Sequence, residues 1–182
     1  QVVFVATRHN SHGEFVIKAL ENGKHVFVEK PLCLEIKDLE AIQSSIVNRQ
    51  SSILMVGYNR RFSPLSTFIK DRIGSGPMAM LYRINAGAIP AESWIQDRTV
   101  GGGRILGEVC HFVDYLIFMN GSLPKNVSAH AIPDPAGLND TLTVSVGFEN
   151  GSVGSIQYVA NGAKALPKEY VEVHAHGVSA TL

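Results

Sequence analysis

Between Gly101 and Leu116 the chain reads GGGRILGEVCHFVDYL, with a carboxylate three residues to either side of one histidine: Glu108, His111 and Asp114. At helical spacing the three form a polar ribbon beside an apolar face of Ile105, Val109, Phe112, Val113 and Leu116. Histidine titrates near neutral pH unaided, so a ribbon of this kind facing a cleft can move protons. Asp114, one turn beyond His111, is expected to accept the second ring proton, fix the tautomer and raise the basicity of the imidazole. Taken alone, one histidine on a mostly apolar helix is more often a satisfied core or boundary residue. A second reactive group is Lys30 in HVFVEKP, at the carboxyl end of an apolar strand that Pro31 stops. Ligands of open parallel sheets collect at such strand ends, although a surface lysine can also simply close a strand.

The elements that must position these groups can be read along the chain. VVFVAT is a continuous apolar run of the type that fills a parallel sheet covered on both faces. EFVIKALENG predicts a helix with Phe15, Ile17 and Leu20 inward and Asn22-Gly23 as its C-cap. HVFVEKP, EIKDLEAIQSSIVNR and SILMVGY continue as strand, helix and strand, an α/β alternation that means right-handed crossovers and a doubly wound sheet. After NRRFSP a helix over 64–73 leads to MAMLYRINAG, an irregular stretch over 86–100 and the histidine helix. NVSAHAI, DTLTVSVGF, SVGSIQYVA and YVEVHAH then predict a mostly antiparallel sheet in an α+β layer. The expected division is a wound domain over 1–60 and a second domain over 61–182. Gly101 to Gly103 follow no strand of a βαβ unit and read as a flexible approach to a helix.

Composition narrows the function classes. The 182 residues carry 16 basic and 16 acidic side chains, are 45% hydrophobic and have a pI near 7.2. No charge run provides an electrostatic footprint, so neither nucleic acid nor an anionic membrane is an expected partner. Cys33 and Cys110 are far apart and lack CxxC spacing, which predicts reduced buried thiols and a cytoplasmic location. No segment reads as a bilayer span or signal peptide. The Asn-x-Ser/Thr triplets at Asn120, Asn126, Asn139 and Asn150 arise readily by chance, and Asn120-Gly121 and Asn150-Gly151 read as turns. His174 and His176 alternate on a strand without a legible third ligand, so no metal is expected.

VFVAT with NSH, ALENGKHVFVEKPL, GYNRRFSP and GGGRILGEVCHFVDYL together resemble the glucose-fructose oxidoreductase, inositol dehydrogenase and rhizopine-catabolism (Gfo/Idh/MocA) family. ATRHNSH, INAG and ANGAKALPKEYVEV point to its bi-domain oxidoreductase type. The resemblance implies an oxidoreductase using NAD or NADP to move a hydride at a secondary hydroxyl of a sugar, polyol or sugar nucleotide. It implies that Lys30 and His111 act together on that hydroxyl, with Asp114 and Glu108 assisting. It implies cofactor contacts from Thr7, Arg8, Asn10, His12, Glu29 and Lys30. Asn10 and His12 also read as ordinary capping residues of the helix that starts near Gly13. Asn59, Arg60 and Trp94 are candidates to line a substrate cleft, or else an ion pair and a core anchor.

The chain has no G-x-G-x-x-G turn. On the resemblance, Gln1 lies late in the wound domain and the phosphate-binding half lies outside this chain, so cofactor binding by this chain alone is expected to be weak. The family's helix carries an aspartate four residues before the histidine; here that position is Gly107, with Glu108 one place later. One residue rotates a helical side chain by about 100°. Two other readings stand beside hydride transfer: an NAD-dependent glycoside hydrolase that recycles its cofactor, and a non-catalytic module whose second sheet serves self-association. Homo-oligomerisation through that sheet is expected in the enzymatic reading too.

Overall fold

The computed structural model describes residues 1–48 and 51–182. Their element order begins with β1 (Val2–Val5), α1 (His12–Glu21), β2 (His25–Val28), α2 (Ile36–Asn48) and β3 (Leu54–Val56). The strands pair in parallel in the order β1-β2-β3, with Val3 opposite Val26 and Val26 opposite Leu54. The expected helix end is present, Asn22 at the C-cap and Gly23 at φ +64°. Arg49, assigned to the second helix from sequence, lies outside the described residues.

Two details of this layer differ from the sequence reading. The inward stripe of α1 is Val16, Ala19 and Leu20, which join Val5, Val26, Val28 and Ile42 in one core, while Phe15 is 43% exposed. Beside this face lies Gly13, where a Cβ would lie 2.6 Å from Asp38 Oδ2. That bare backbone lets α1 approach α2 closely. The strands are also not covered evenly: Val5 is buried, whereas Phe4 is 74% exposed on the opposite face of β1.

The second sheet contains β4 (Ala79–Asn85), β5 (Pro124–Ile132), β6 (Thr141–Phe148), β7 (Val153–Val159), β8 (Glu169–Ala175) and β9 (Val178–Thr181), in the order β5-β6-β7-β4-β8-β9. Only β4 and β7 run parallel; the other neighbours are antiparallel. Strand β9 is absent from the sequence reading. It closes a two-residue hairpin in which His176 and Gly177 have φ +52° and +77°, a turn without the usual Asn-Gly signature. His176 therefore sits in the turn and does not share a strand face with His174. Helices α3 (Pro64–Ile73) and α4 (Cys110–Asn120) accompany this sheet. Phe112, Tyr115, Leu116 and Met119 of α4 are buried, and Tyr82 of β4 meets Phe112 and Tyr115 edge-on at 4.8 and 5.0 Å.

The chain forms two compact units, the first of Gln1–Tyr58 with Glu92–Cys110 and the second of Asn59–Ala91 with His111–Leu182. A single boundary at 60/61 does not describe this, because the stretch over 92–110 returns to the first unit. The returning bonds are specific: the Asn10 N–H donates to the Val100 carbonyl at 3.0 Å and Lys30 Nζ to the Gly107 carbonyl at 2.8 Å. Nor is the triple glycine a loose approach to a helix. Gly101 is buried, and a Cβ there would lie 2.4 Å from Ile95 Cα, while the Asp97 carbonyl accepts the Gly101 and Gly102 N–H groups.

Ile105–Val109 form a π-helical turn before α4 begins. The extra residue in that turn breaks the phase of the expected continuous helix. Ile105 and Leu106 are consequently exposed, and Glu108 belongs to the first unit while His111 and Asp114 belong to the second.

Candidate active site

In the first unit, the loops that leave β1 and β2 converge on Lys30. Lys30 precedes a cis peptide bond to Pro31, is half-buried, and donates its ammonium to the Gly107 carbonyl. A charge-assisted bond of this kind both orients the amine and satisfies a carbonyl of the π turn. His12 opens α1 and is fully buried, with Nδ1 2.7 Å from the Pro31 carbonyl and Nε2 3.0 Å from the Thr7 carbonyl. The ring thus lies between the backbone of the two loops, and a neutral imidazole donates its single N–H to one of these carbonyls. His12 makes no side-chain cap of α1, whose N-cap is Ser11, and its ring faces these backbone carbonyls.

His9, absent from the sequence reading, is buried against the same framework. Its Nδ1–H donates to the Gly101 carbonyl at 2.7 Å, and its ring meets Trp94 edge-on at 4.8 Å. Burial pushes its imidazole below the usual histidine range, opposed by the Gly101 hydrogen bond and reinforced by the positive charge of Lys30. It lies in a polar loop with no periodic pattern, so only its contacts distinguish it from Asn10 or Ser11. Arg8 sits over the Trp94 ring at 5.8 Å, which occupies one aromatic face that the sequence reading offered to substrate. Thr7, Arg8, Asn10 and Glu29 are exposed beside the carboxyl ends of β1 and β2.

The second unit holds the histidine. His111 lies in the first turn of α4, 7% exposed, beside Phe112. Asp114 has a partner the spacing did not foresee: Arg61 donates through Nε at 3.0 Å to one carboxylate oxygen and through Nη2 to the other. This fork pins the turn at Arg60–Phe62 to α4 and engages the oxygens that were expected to orient His111.

Arg60, expected to face substrate, is likewise committed internally. Its guanidinium bonds both oxygens of Glu169 at 3.0 and 2.7 Å and lies 4.7 Å over the Phe112 ring. Tyr82 donates to the same carboxylate. Burial raises the Glu169 carboxyl, but the Arg60 and Tyr82 hydrogen bonds outweigh it and hold the group below its usual range. Burial and the adjacent Glu169 push the Tyr82 hydroxyl far upward. Asn59 is exposed.

Lys30, Thr7, Arg8, Asn10, His12, Glu29, Trp94 and Glu108 therefore share one unit; His111, Asp114, Asn59 and Arg60 share the other. The exposed hydroxyl, guanidinium, amide and carboxylate at the ends of β1 and β2 suit the sugar hydroxyls and phosphate of a dinucleotide, which binds open parallel sheets at this edge. Among the described residues no three His, Cys, Asp or Glu side chains gather as a metal site, and no helix is long and apolar enough to cross a membrane.

Comparison with known proteins agrees with this architecture. The profile of an oxidoreductase family with an NAD-binding Rossmann fold matches residues 1–58, and the GFO/IDH/MocA C-terminal domain matches residues 75–180. A scyllo-inositol 2-dehydrogenase (NAD(+)) of Bacillus subtilis is 31% identical over 166 residues, covering 85% of this chain and 47% of the relative. A levoglucosan dehydrogenase of Pseudarthrobacter phenanthrenivorans is 24% identical, covering 100% and 54%. The crystal structure of an oxidoreductase domain protein from Kribbella flavida superposes with a TM-score of 0.86 at 24% identity, covering 100% of this chain and 54% of that one, a likeness of fold. The chain spans about half the length of the relatives it matches. With both halves of the family's architecture matched in order, the chain belongs to the Gfo/Idh/MocA oxidoreductase family.

Proposed function

We propose that this chain serves an NAD(P)-dependent dehydrogenase that oxidises or regenerates a secondary hydroxyl of a sugar or polyol, inositol-like alcohols being the first substrates to test. The observation that carries the reading is Lys30: an ammonium just beyond the carboxyl end of β2, held at 2.8 Å by the Gly107 carbonyl in a unit whose strand ends expose Thr7, Arg8, Asn10 and Glu29. The similarity to an NAD-dependent inositol dehydrogenase supports it.

When bound, the nicotinamide ring supplies the hydride chemistry. Thr7, Arg8, Asn10 and Glu29 would hold the nucleotide, and Trp94, braced by Arg8, would flank the substrate. By the family resemblance His111 would take the hydroxyl proton during oxidation and return it during reduction, and the Lys30 ammonium would polarise a substrate oxygen. Because Arg61 engages Asp114, the carboxylate acts on His111 through the position of α4 rather than as a dedicated proton acceptor.

The test is an assay, on the full-length protein that contains this chain, of inositols, hexoses and anhydrosugars with NAD+ and with NADP+, followed by Lys30→Met and His111→Ala. Each variant is expected to lose about 10²- to 10⁴-fold in kcat while remaining folded. Undiminished turnover in both would sink the assignment. Self-association through the second sheet and a cytoplasmic setting belong to the same proposal. The edge strand β5 is exposed along its length, with Val127 at 71% and Ile132 at 57%, and neither cysteine is in a disulfide.

A further inference from the structure

The position at which the resembled family carries an aspartate is Gly107 here, and the space a side chain would use at that position is already taken. A Cβ on Gly107 would lie 3.0 Å from His9 Cε1 and 3.5 Å from His9 Nδ1. The His9 ring is only 7% exposed and is held from several sides. Nδ1–H is bonded to the Gly101 carbonyl, Trp94 lies against it edge-on at 4.8 Å, and His12 lies 5.7 Å away. A carbonyl can only accept, so the proton sits on Nδ1 and the neutral ring has a single tautomer.

One short backbone stretch connects these contacts to Lys30. The Gly101 carbonyl accepts from the imidazole, and Gly107, whose Cβ position the imidazole crowds, presents the carbonyl that receives Lys30 Nζ at 2.8 Å. A side chain at position 107 would crowd the ring, which would have to give by a few tenths of an ångström against its bond to Gly101.

We infer that His9 is the positioning residue of Lys30, its imidazole seating the 101–107 backbone whose last carbonyl aims the Lys30 ammonium. The inference deepens the dehydrogenase reading, in which Lys30 acts on the substrate hydroxyl, but it concerns a contact that exists without substrate or cofactor. It also accounts for the departure at Gly107: the space beside Lys30 is filled from the β1 loop by an uncharged ring instead of from the helix by a carboxylate.

The test reads Lys30 directly. The intact protein is labelled with limiting acetic anhydride, and acetylation of Lys30 is measured by mass spectrometry relative to exposed Lys37. His9→Leu, which cannot donate to Gly101, is expected to raise relative Lys30 labelling about tenfold, the equilibrium equivalent of one charge-assisted hydrogen bond. His9→Asn, whose amide can take the place of Nδ1–H, should stay within about twofold of the parent. Gly107→Ala should raise labelling in the parent but not in the His9→Asn background, where Cε1 is no longer in the way.

Unchanged labelling in His9→Leu overturns the inference. So does an equal effect of Gly107→Ala with and without His9, and this pair decides the matter if His9→Leu does not fold. Labelling needs no substrate, so a Lys30 response without any NAD-linked turnover would count against the dehydrogenase reading and leave this inference standing. Where turnover is found, His9→Leu is expected to lower kcat with little change in KM, and His9→Asn to restore it.

Discussion

At the residue scale, two ion pairs, Arg60–Glu169 and Arg61–Asp114, help to build the frame around α4. Arg61 and Asp114 illustrate this, the carboxylate side chain being 10% exposed and the guanidinium 34%. Replacing Asp114 with Asn removes half of a charge-assisted fork and leaves a partly buried guanidinium. We expect a loss of about 1–2 kcal/mol in urea unfolding, and a fall in kcat that His111→Ala does not add to fully. His9 contributes a pH dependence of known sign. Its folded pKa lies below the ordinary 6.5, so the unfolded chain takes up the proton first as pH falls. Its contribution is complete above about 6.5 and is lost progressively below it. The nearby charges that modulate it are Lys30, His12 and Glu108. Unfolding midpoints compared at about pH 7.5 and about pH 5.5 should fall more for the parent than for His9→Asn. Equal falls would refute that assignment.

At the element scale, backbone approach rather than side-chain chemistry decides where the site residues stand. Gly101 packs on Ile95 backbone, where no flexible side-chain end is available to yield. Gly101→Ala should therefore cost about 1–3 kcal/mol and detach the π turn that presents the Gly107 carbonyl, a change visible as increased amide exchange over 95–107. Gly154 offers a contrast. A Cβ there would meet Leu116 Cδ1 at 2.7 Å, the far end of a side chain that can change rotamer, so Gly154→Ala should be the milder substitution. These positions also mark what could not be read from sequence. Asn22-Gly23, Pro31 and Pro64 act locally and were legible as element ends. The rotation of α1, the π turn and the β9 hairpin depend on partners distant in sequence, and no local pattern encodes them.

At the scale of the whole molecule, each unit has its own core. Leu20 and Val28 belong to the first, and Phe112, Ile156 and Tyr158 are buried in the second. Leu20→Ala should cost about 2–5 kcal/mol. Its effect on amide exchange should concentrate in β1, β2 and β3, leaving β4 to β9 nearly as protected as before. Uniform loss of protection would show that the two cores unfold as one. The exposed β5 edge is expected to carry any self-association. Val127→Lys, adding charge to an unpaired edge, should reduce the sedimentation coefficient of an oligomer without moving the unfolding midpoint.

By itself, the sequence determined the alternation of strand and helix, the strand-rich second half, and the two motifs that nominate Lys30 and His111. Those follow from hydrophobic periodicity, glycine and proline punctuation and side-chain chemistry, all of which act over a few residues. Only the tertiary structure decided that residues 92–110 return to the first unit and that Asp114 and Arg60 are bound by Arg61 and Glu169. It also decided that His9 fills the space beside Gly107. The reason is physical: close packing and hydrogen-bond satisfaction join groups 53 to 109 residues apart in sequence, and such partners are selected by geometry after the elements have formed.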